Sequence, residues 1–377
     1  MTVRLTLASL SLVAAIAVAA GHVSTGSAAT IEGRRNAPPA WSAAAAASYL
    51  DARMTWWLGW SGSQRDHGTQ CVSCHTAVPY ALARPALRVA LRETGATEPE
   101  RRMLENVVTR VRLWKEVEPF YPDQTNGLPK TSESRGTEAV MNALILAARD
   151  AERGVLSDDA RQAFAILWAL QFQRGDEKGS WAWLNFHYEP WESTGSPYFG
   201  ATLAAIALGT APSGYAAEAD IQPMRASLAD YLRRGADTTH LFNRLMLAWA
   251  SGRLSGLIAP AQRQAIVDAA FAAQRSDGGW SMAGLGPWKR RDNTPLDEES
   301  DGYGTGLAVL SLEAVGLPRS DTRLSRGVVW LSEHQDAASG RWTASSVNKA
   351  RDPSTDIGKF MSDAATSYAA MALLRAR

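Results

Sequence analysis

The sequence predicts an all-α fold, and three observations support this prediction. Alanine-rich stretches with apolar residues at helical spacing recur along most of the 377 residues. Alternating β-branched runs joined by hairpin turns are nearly absent. A unit made of a threonine followed by a small, apolar stretch recurs along the chain. Together these features indicate repeated pairs of helices.

A signal peptide is predicted at the N-terminus, over residues 1–29. Arg4 is positively charged, residues 5–20 are apolar, and Ser27 to Ala29 supply the small residues of a cleavage site. The apolar run is shorter than the roughly 20 residues that a membrane-spanning helix needs, so a removed leader fits better than a retained anchor. Residues 30–377 are predicted to form a single domain without a stable membrane span, exported to the periplasm or secreted.

The composition points to a neutral or apolar ligand. The chain has 39 Lys and Arg against 38 Asp and Glu, which leaves no charge excess for binding nucleic acid. Its 14 Trp are packing residues or walls of an apolar pocket.

Six threonines mark the repeat, at roughly 45 to 66 residues from one to the next, which is room for one helix pair with its loops. They are Thr76, Thr137, Thr194, Thr239, Thr305 and Thr366. Each threonine is predicted to cap the first turn of an inner helix, because its hydroxyl oxygen can accept from free N–H groups there. Six pairs favour a closed ring.

A turn containing glutamine, glycine and tryptophan precedes several of these threonines. It occurs at residues 274–280, 335–342 and 173–181, starting at Gln274, Gln335 and Gln173, with a degenerate version at residues 64–70. The glutamine amide can close the end of an outer helix, the glycines permit a tight turn, and the tryptophan packs across the neighbouring pair. The turn is therefore predicted to be a structural staple.

Over residues 41–377 these turns resemble the Gln-Trp repeats of squalene-hopene cyclases, oxidosqualene cyclases and protein prenyltransferases. That resemblance implies a toroid of six inner and six outer helices, an (α/α)6 barrel whose inner helix ends border a central cavity. The fold carries several chemistries, so it does not by itself assign one.

The sequence Cys-Val-Ser-Cys-His from Cys71 to His75 predicts one covalently attached haem c. In this pattern two thiols add to the haem vinyl groups and the histidine ligates the iron, so His75 is the predicted metal ligand. Cys71 and Cys74 are the only two cysteines. The alternatives are a Cys71–Cys74 disulfide or a zinc site, which would have to recruit His67.

Thr76 follows His75 directly, so His75 is predicted at the N-terminus of the first inner helix, at the mouth of the cavity. As a sixth haem ligand, His187 in an aromatic loop is the first candidate and His240 the second. An open sixth position would instead admit oxygen, peroxide or substrate.

The acid of the cyclases is not retained here. The related cyclases protonate an alkene with the middle aspartate of an Asp-X-Asp-Asp-Thr-Ala motif, and the matching segment here starts at Asp301 and has Tyr303 in the acid position. A phenol with a pKa near about 10 is too weak an acid for that step. Asp301, Tyr303 and Glu192 stay candidate catalytic residues, although the acidic stretch at 297–301 is equally typical of a solvated loop before a helix.

The leading functional prediction is a periplasmic mono-haem c-type cytochrome, which performs redox chemistry or electron transfer on a hydrophobic, terpenoid-like molecule together with a periplasmic redox partner. One alternative is a haem-free terpenoid cyclase, lyase or isomerase that uses cavity carboxylates. The other is a toroid that binds a glycan or a protein partner.

Overall fold

The computed structural model describes residues 41–374, which belong to one compact unit. The predicted signal peptide at 1–29 lies outside the described residues. Twelve α-helices and no strands occur between residues 41 and 374, which confirms the all-α prediction. The helices are α1 Ala43–Gly59, α2 Ala77–Leu91, α3 Glu98–Arg112, α4 Thr131–Ala151, α5 Asp158–Ala169, α6 Ser196–Thr210, α7 Gln222–Gly235, α8 Leu241–Ser251, α9 Pro260–Ala272, α10 Gly302–Ala314, α11 Thr322–Glu333 and α12 Phe360–Leu374.

The helices alternate between two kinds along the chain. The even-numbered ones are buried over most of their surface, and α6, α10 and α12 consist largely of Ala, Gly and Leu with almost no exposed side. The odd-numbered ones, such as α3 and α11, bury one face and expose a charged one. A helix that is apolar on every side requires protein contacts all round, so the even helices form the interior.

Each even helix packs against the next even helix in the chain. The contacts run from α2 to α4, α6, α8, α10 and α12, and α12 in turn packs against α2. The odd helices cover this set: α1 lies on α2, α5 on α4, α7 on α6, α9 on α8 and α11 on α10. Within residues 41–374 no helix is long and apolar enough to cross a membrane.

The predicted staple is confirmed in three turns. In each, a fully buried indole N–H donates to a carbonyl near the end of the preceding odd helix: Trp181 to Leu167 (2.7 Å), Trp280 to Ala270 (2.6 Å) and Trp342 to Leu331 (2.8 Å). The glutamine amide joins the turn to the start of the next odd helix. Gln274 donates to the carbonyls of Gly278 and Arg323, both at 2.8 Å.

In the turn before α6, the glutamine in this role is Gln171 and not the predicted Gln173. Gln171 donates to the carbonyls of Gly179 and Met224, whereas Gln173 donates only to the carbonyl of Gln171. The loop from Gln171 to Gly179 is longer than the loop from Gln274 to Gly278. The longer loop explains why the sequence pattern predicted a glutamine two residues after the one that makes these contacts.

The turn glycine is required by geometry. Gly278 has a φ of +97°, and a Cβ there would lie 2.8 Å from the Cβ of Arg326 in α11. Both facts exclude a side chain, since the left-handed backbone is strained for other residues and the neighbouring helix leaves no room. The glycine therefore allows the turn to lie in close contact with α11.

The prediction that the repeated threonines cap helices is wrong. Thr305 and Thr366 lie inside α10 and α12, where their hydroxyl oxygens accept from the backbone N–H of Trp280 (2.9 Å) and Trp342 (3.0 Å). Thr137 likewise accepts from the N–H of Leu184 at 2.9 Å. These threonines bind the staple turn to an even helix, which explains their recurrence equally well.

Candidate functional site

The segment from Cys71 to His75 leads directly into α2. Ser73 caps this helix, because its hydroxyl oxygen accepts from the N–H groups of Thr76 (3.3 Å) and Ala77 (3.0 Å). The side chain of Thr76 makes no capping bond. The cap explains why the chain turns sharply here and why His75 lies at the N-terminal end of a buried helix.

Hydrogen bonds to the rest of the molecule fix the loop that leads into the Cys71–His75 segment. The N–H of Cys71 donates to the carbonyl of Ser63 (2.7 Å), and the indole of Trp57 donates to the carbonyl of Cys71 (2.8 Å). Thr69 accepts at 2.6 Å from Arg110, a fully buried guanidinium of α3. The backbone that carries the two cysteines is therefore fixed from three sides.

Cys74 and His75 line a cavity of about 200 Å3 that opens to solvent, here named the His75 cavity. Its walls are mainly aromatic: Trp57, Trp60, Tyr121, Tyr188, Trp191 and Phe360. The polar side chains in the wall, besides Cys74 and His75, are Arg65, Glu192, Ser346, Asn348 and Arg351. An apolar wall with few polar groups is typical of a site for a largely hydrophobic ligand.

The imidazole of His75 is surrounded by rings. Phe360 stacks on it with centroids 3.8 Å apart, while Trp57 and Trp191 pack at 5.1 and 5.6 Å. Burial, with the nearby charges of Arg53 and Arg351, lowers the pKa of His75 to about 3. The ring is thus neutral at physiological pH, which is the form that binds a metal ion through an in-plane lone pair. Stacking on the ring face does not obstruct that lone pair.

One ring nitrogen of His75 is already engaged. Nδ1 lies 2.8 Å from the hydroxyl of Thr76, which donates at 2.7 Å to a carboxylate oxygen of Asp363 in α12. Among the described residues, Nε2 has no hydrogen-bond partner. His75 therefore offers a single free nitrogen.

Neither cysteine forms a disulfide, and both are buried. Burial raises the pKa of the Cys71 thiol to about 12 and that of Cys74 well above its usual range. Both are therefore protonated thiols near neutral pH, poor nucleophiles and poor metal ligands as they stand. The sulfur of Cys74 lies 3.5 Å from the sulfur of Met141.

The zinc alternative lacks its ligands in the part of the chain that is described. His67 is exposed and its Nδ1 contacts Asp66 at 2.8 Å. Between residues 41 and 374, no group of three or more His, Cys, Asp or Glu side chains is arranged to hold a metal ion.

Opposite charges face each other across the His75 cavity. Burial raises the pKa of the Glu192 carboxyl to about 7, although Lys130 lowers it. Arg351 forms no ion pair with any described residue, and the Nε of Arg65 and the Oδ1 of Asn348 are buried without a partner there. A ligand with its own polar groups would satisfy these atoms.

Replacing Glu192 by Gln is expected to flatten the pH dependence of stability. Because the pKa is higher in the folded protein, the folded state keeps a proton that the unfolded chain releases, so stability is full below about pH 4.5 and falls until about pH 7. The loss is on the order of 1–3 kcal/mol. Urea unfolding at pH 5 and pH 8 measures it, with the exposed Glu105→Gln as control. Equal pH slopes in all three proteins would contradict the shift.

Neither Asp301 nor Tyr303 lines the His75 cavity. Asp301 caps α10: it accepts from the backbone N–H of Met282, Tyr303 and Gly304 at 2.6 to 2.9 Å. Burial raises its pKa to about 6, against these hydrogen bonds. Tyr303 is fully buried, and its hydroxyl accepts at 3.1 Å from the indole of Trp191. Of the three predicted catalytic residues, Glu192 alone lines the cavity with His75.

The two candidate sixth ligands lie elsewhere as well. His187 is exposed, with a left-handed φ of 60°, and is not among the residues that line the His75 cavity. His240 immediately precedes α8 and packs against Trp288 at 4.7 Å in a separate groove. Burial lowers its pKa to about 4. Ser73 and Arg351 were not predicted as site residues from sequence, since their roles depend on contacts that no local motif reveals.

No protein-family model matches the sequence, and no curated protein matches it.

Proposed function

We propose that this chain is an exported, mono-haem c-type protein that carries out redox chemistry or electron transfer at the His75 cavity. The observation that carries the proposal is that the last two residues of the Cys-Val-Ser-Cys-His segment, Cys74 and His75, open onto one aromatic cavity. In that cavity His75 presents a neutral imidazole with one free nitrogen. The signal peptide predicted over residues 1–29 supports export.

The free Nε2 of His75 and the aromatic cavity beside Cys74 support a haem. Cys71 and Cys74 would form the thioether bonds and His75 would ligate the iron, for which its Nε2 is the free atom. Arg351 and Arg65 line the cavity and would supply cations for the carboxylates of a haem. An occupant larger than about 200 Å3 must extend through the cavity opening. A bound haem would supply one-electron redox chemistry.

We also propose that the helix pairs close into an (α/α)6 toroid. The contacts that support this run through the six even helices in chain order and return from α12 to α2, while each odd helix lies outside on an even one. The three staple turns join successive pairs in the same way. In such a toroid the N-terminal end of α2 places His75 at one mouth.

The proposed substrate is a hydrophobic molecule, with terpenoids as the class that the family resemblance implies. Six aromatic side chains around His75 favour an apolar ligand over a strongly charged one. Glu192 would be the acid or base available to it, because its pKa near 7 lets it carry or release a proton at neutral pH. Asp301 is less suited to acid catalysis, since three backbone N–H groups occupy its oxygens.

Haem attachment tests the proposal directly. We expect that the full-length chain, co-expressed with a cytochrome c maturation system and then denatured in acid, keeps a haem absorbance on the polypeptide. The same chain made without the system, and the Cys71→Ala/Cys74→Ala variant made with it, are expected to lose that absorbance. Carbon monoxide spectra of the ferrous protein would then show whether the sixth position is open.

A wild-type chain that emerges free of haem would overturn the proposal. A haem that resists acid in the double alanine variant would overturn the assignment of the two cysteines.

A further inference from the structure

The buried chain of hydrogen bonds behind His75 has a function that its geometry defines. We propose that Asp363, acting through Thr76, fixes His75 as the tautomer with hydrogen on Nδ1 and a free lone pair on Nε2, and sets how strongly Nε2 donates to a metal. Thr76 and Asp363 are then positioning residues. The effect on a haem iron rests on the proposed function, whereas the tautomer does not.

Hydrogen counting assigns the direction of each bond. A carboxylate only accepts, so the single hydroxyl hydrogen of Thr76 is donated to Asp363 at 2.7 Å. The oxygen of Thr76 then has only lone pairs to offer to Nδ1 of His75 at 2.8 Å. Nδ1 must therefore carry the hydrogen. Thr76 and Asp363 are 3 % and 1 % exposed, so water does not compete for these bonds.

The assignment requires Asp363 to be ionised, and its other neighbours ensure this. Burial raises the pKa of Asp363 above its usual value, although the charge of Arg53 and hydrogen bonds from Arg53, Thr76 and Tyr49 act in the opposite direction. Arg53 donates from Nε to Oδ1 at 2.7 Å and is itself 4 % exposed. Arg53 also pairs with Asp356 at 2.8 Å, but Asp356 is about half exposed, so Asp363 is the buried counter-charge of the guanidinium and stays ionised at neutral pH. Tyr49 donates to the same oxygen at 2.8 Å.

No other histidine between residues 41 and 374 has such a connection. Nδ1 of His240 is buried without a partner, and Nδ1 of His334 contacts a backbone carbonyl. His67 contacts Asp66, but at the exposed surface, and His187 is exposed as well. The one histidine with a buried route to a carboxylate is therefore the one that follows Cys74.

Such a connection changes the chemistry of the free nitrogen. A carboxylate that accepts from one ring nitrogen, here through a hydroxyl, increases the basicity of the other nitrogen and orients the ring. A more basic ligand stabilises the higher charge of an oxidised iron, so the reduction potential falls. Because Asp363 lies in α12 and His75 lies two residues before α2, this effect depends on the contact between these two helices.

The tautomer is measured first, in haem-free protein. Full-length chain made without the maturation system and labelled with 15N-histidine is examined by NMR. We expect His75 of the wild type to carry its hydrogen on Nδ1, and Thr76→Val to shift the ring toward the other tautomer. Thr76→Ser is expected to restore the wild-type signal. Thr55→Val, at an exposed position of α1, serves as control.

The reduction potential is measured next, on the haem-loaded proteins. Outer partners of metal-binding histidines contribute roughly ten-fold or more to a metal equilibrium, so Thr76→Val is expected to favour reduction about ten-fold, or ~59 mV for one electron. Asp363→Asn is expected to shift the potential in the same direction. Thr76→Ser and Thr55→Val are expected to match the wild type.

A hydrogen on Nε2 of wild-type His75, or a tautomer and potential unchanged in Thr76→Val, would overturn the inference. A chain that never attaches haem would overturn the proposed function and with it the effect on the iron. The NMR experiment on the haem-free chain would still decide the role of Thr76 and Asp363, so the two failures are distinguishable.

Discussion

Glu138→Leu is expected to destabilise the protein by about 3–5 kcal/mol, because it leaves a buried charge without its partner. Arg110 and Glu138 are both 0 % exposed, and two hydrogen bonds of 2.5 and 3.1 Å join them. Arg110 also donates to the hydroxyl of Thr69 and to the carbonyl of Glu118. Without Glu138 the guanidinium keeps its desolvation penalty and retains only a longer contact of 3.9 Å with the carboxylate of Asp66. Urea unfolding followed by far-UV circular dichroism measures the change.

A second substitution separates charge from packing. In Arg110→Met/Glu138→Leu neither charge is buried, and we expect this double variant to recover most of the lost stability. Arg112→Met, two residues further along α3, provides the matched control, since Arg112 pairs with Asp159 at the exposed surface. We expect its unfolding midpoint to stay at the wild-type value. Similar losses for Glu138→Leu and for the double variant would show that packing, and not charge, dominates at this position.

The fold class and the staple turns could be predicted from sequence because both depend on local patterns. Apolar spacing identifies buried helices, and a glycine next to a tryptophan identifies a tight turn with a buried ring. The threonines illustrate the limit. The hydroxyl of Thr305 accepts from the backbone N–H of Trp280, 25 residues earlier. A recurring threonine is compatible with a helix cap or with such a tertiary hydrogen bond, and the local pattern alone favours the cap.

The site shows the same limit. The spacing in Cys-Val-Ser-Cys-His and the threonine after it placed His75 at the start of a buried helix, because these are neighbours in sequence. Asp363 lies 287 residues from Thr76, and no spacing rule connects them. For Asp301 a local signal existed, since an aspartate before a helix is a common cap. The resemblance to the cyclases instead suggested a catalytic acid at this position.

Trp280→Ala is expected to lower the free energy of unfolding by about 3–5 kcal/mol, as for other fully buried large aromatic residues. The indole N–H of Trp280 donates to the carbonyl of Ala270 in α9. Its backbone N–H donates to the hydroxyl oxygen of Thr305 in α10. The ring also reaches α11: a Cβ on Gly327 would lie 2.6 Å from it. Removing the ring opens a cavity among three helices that cannot all move inward, because Thr305 and Gly278 still fix the turn.

Trp280→Phe tests which part of the side chain matters. The phenyl ring fills much of the space but leaves the carbonyl of Ala270 with only the backbone N–H of Ala273 as a donor, so a smaller loss of about 1–3 kcal/mol is expected. Val329→Ala, at a half-exposed site of α11, controls for truncating an apolar side chain and is expected to stay within about 0.5 kcal/mol of the wild type. If Trp280→Ala lowered stability no more than Val329→Ala, the turn would not stabilise the packing of the helices that it contacts. A large loss would instead mean that α9, α10 and α11 depend on one indole ring for their mutual packing.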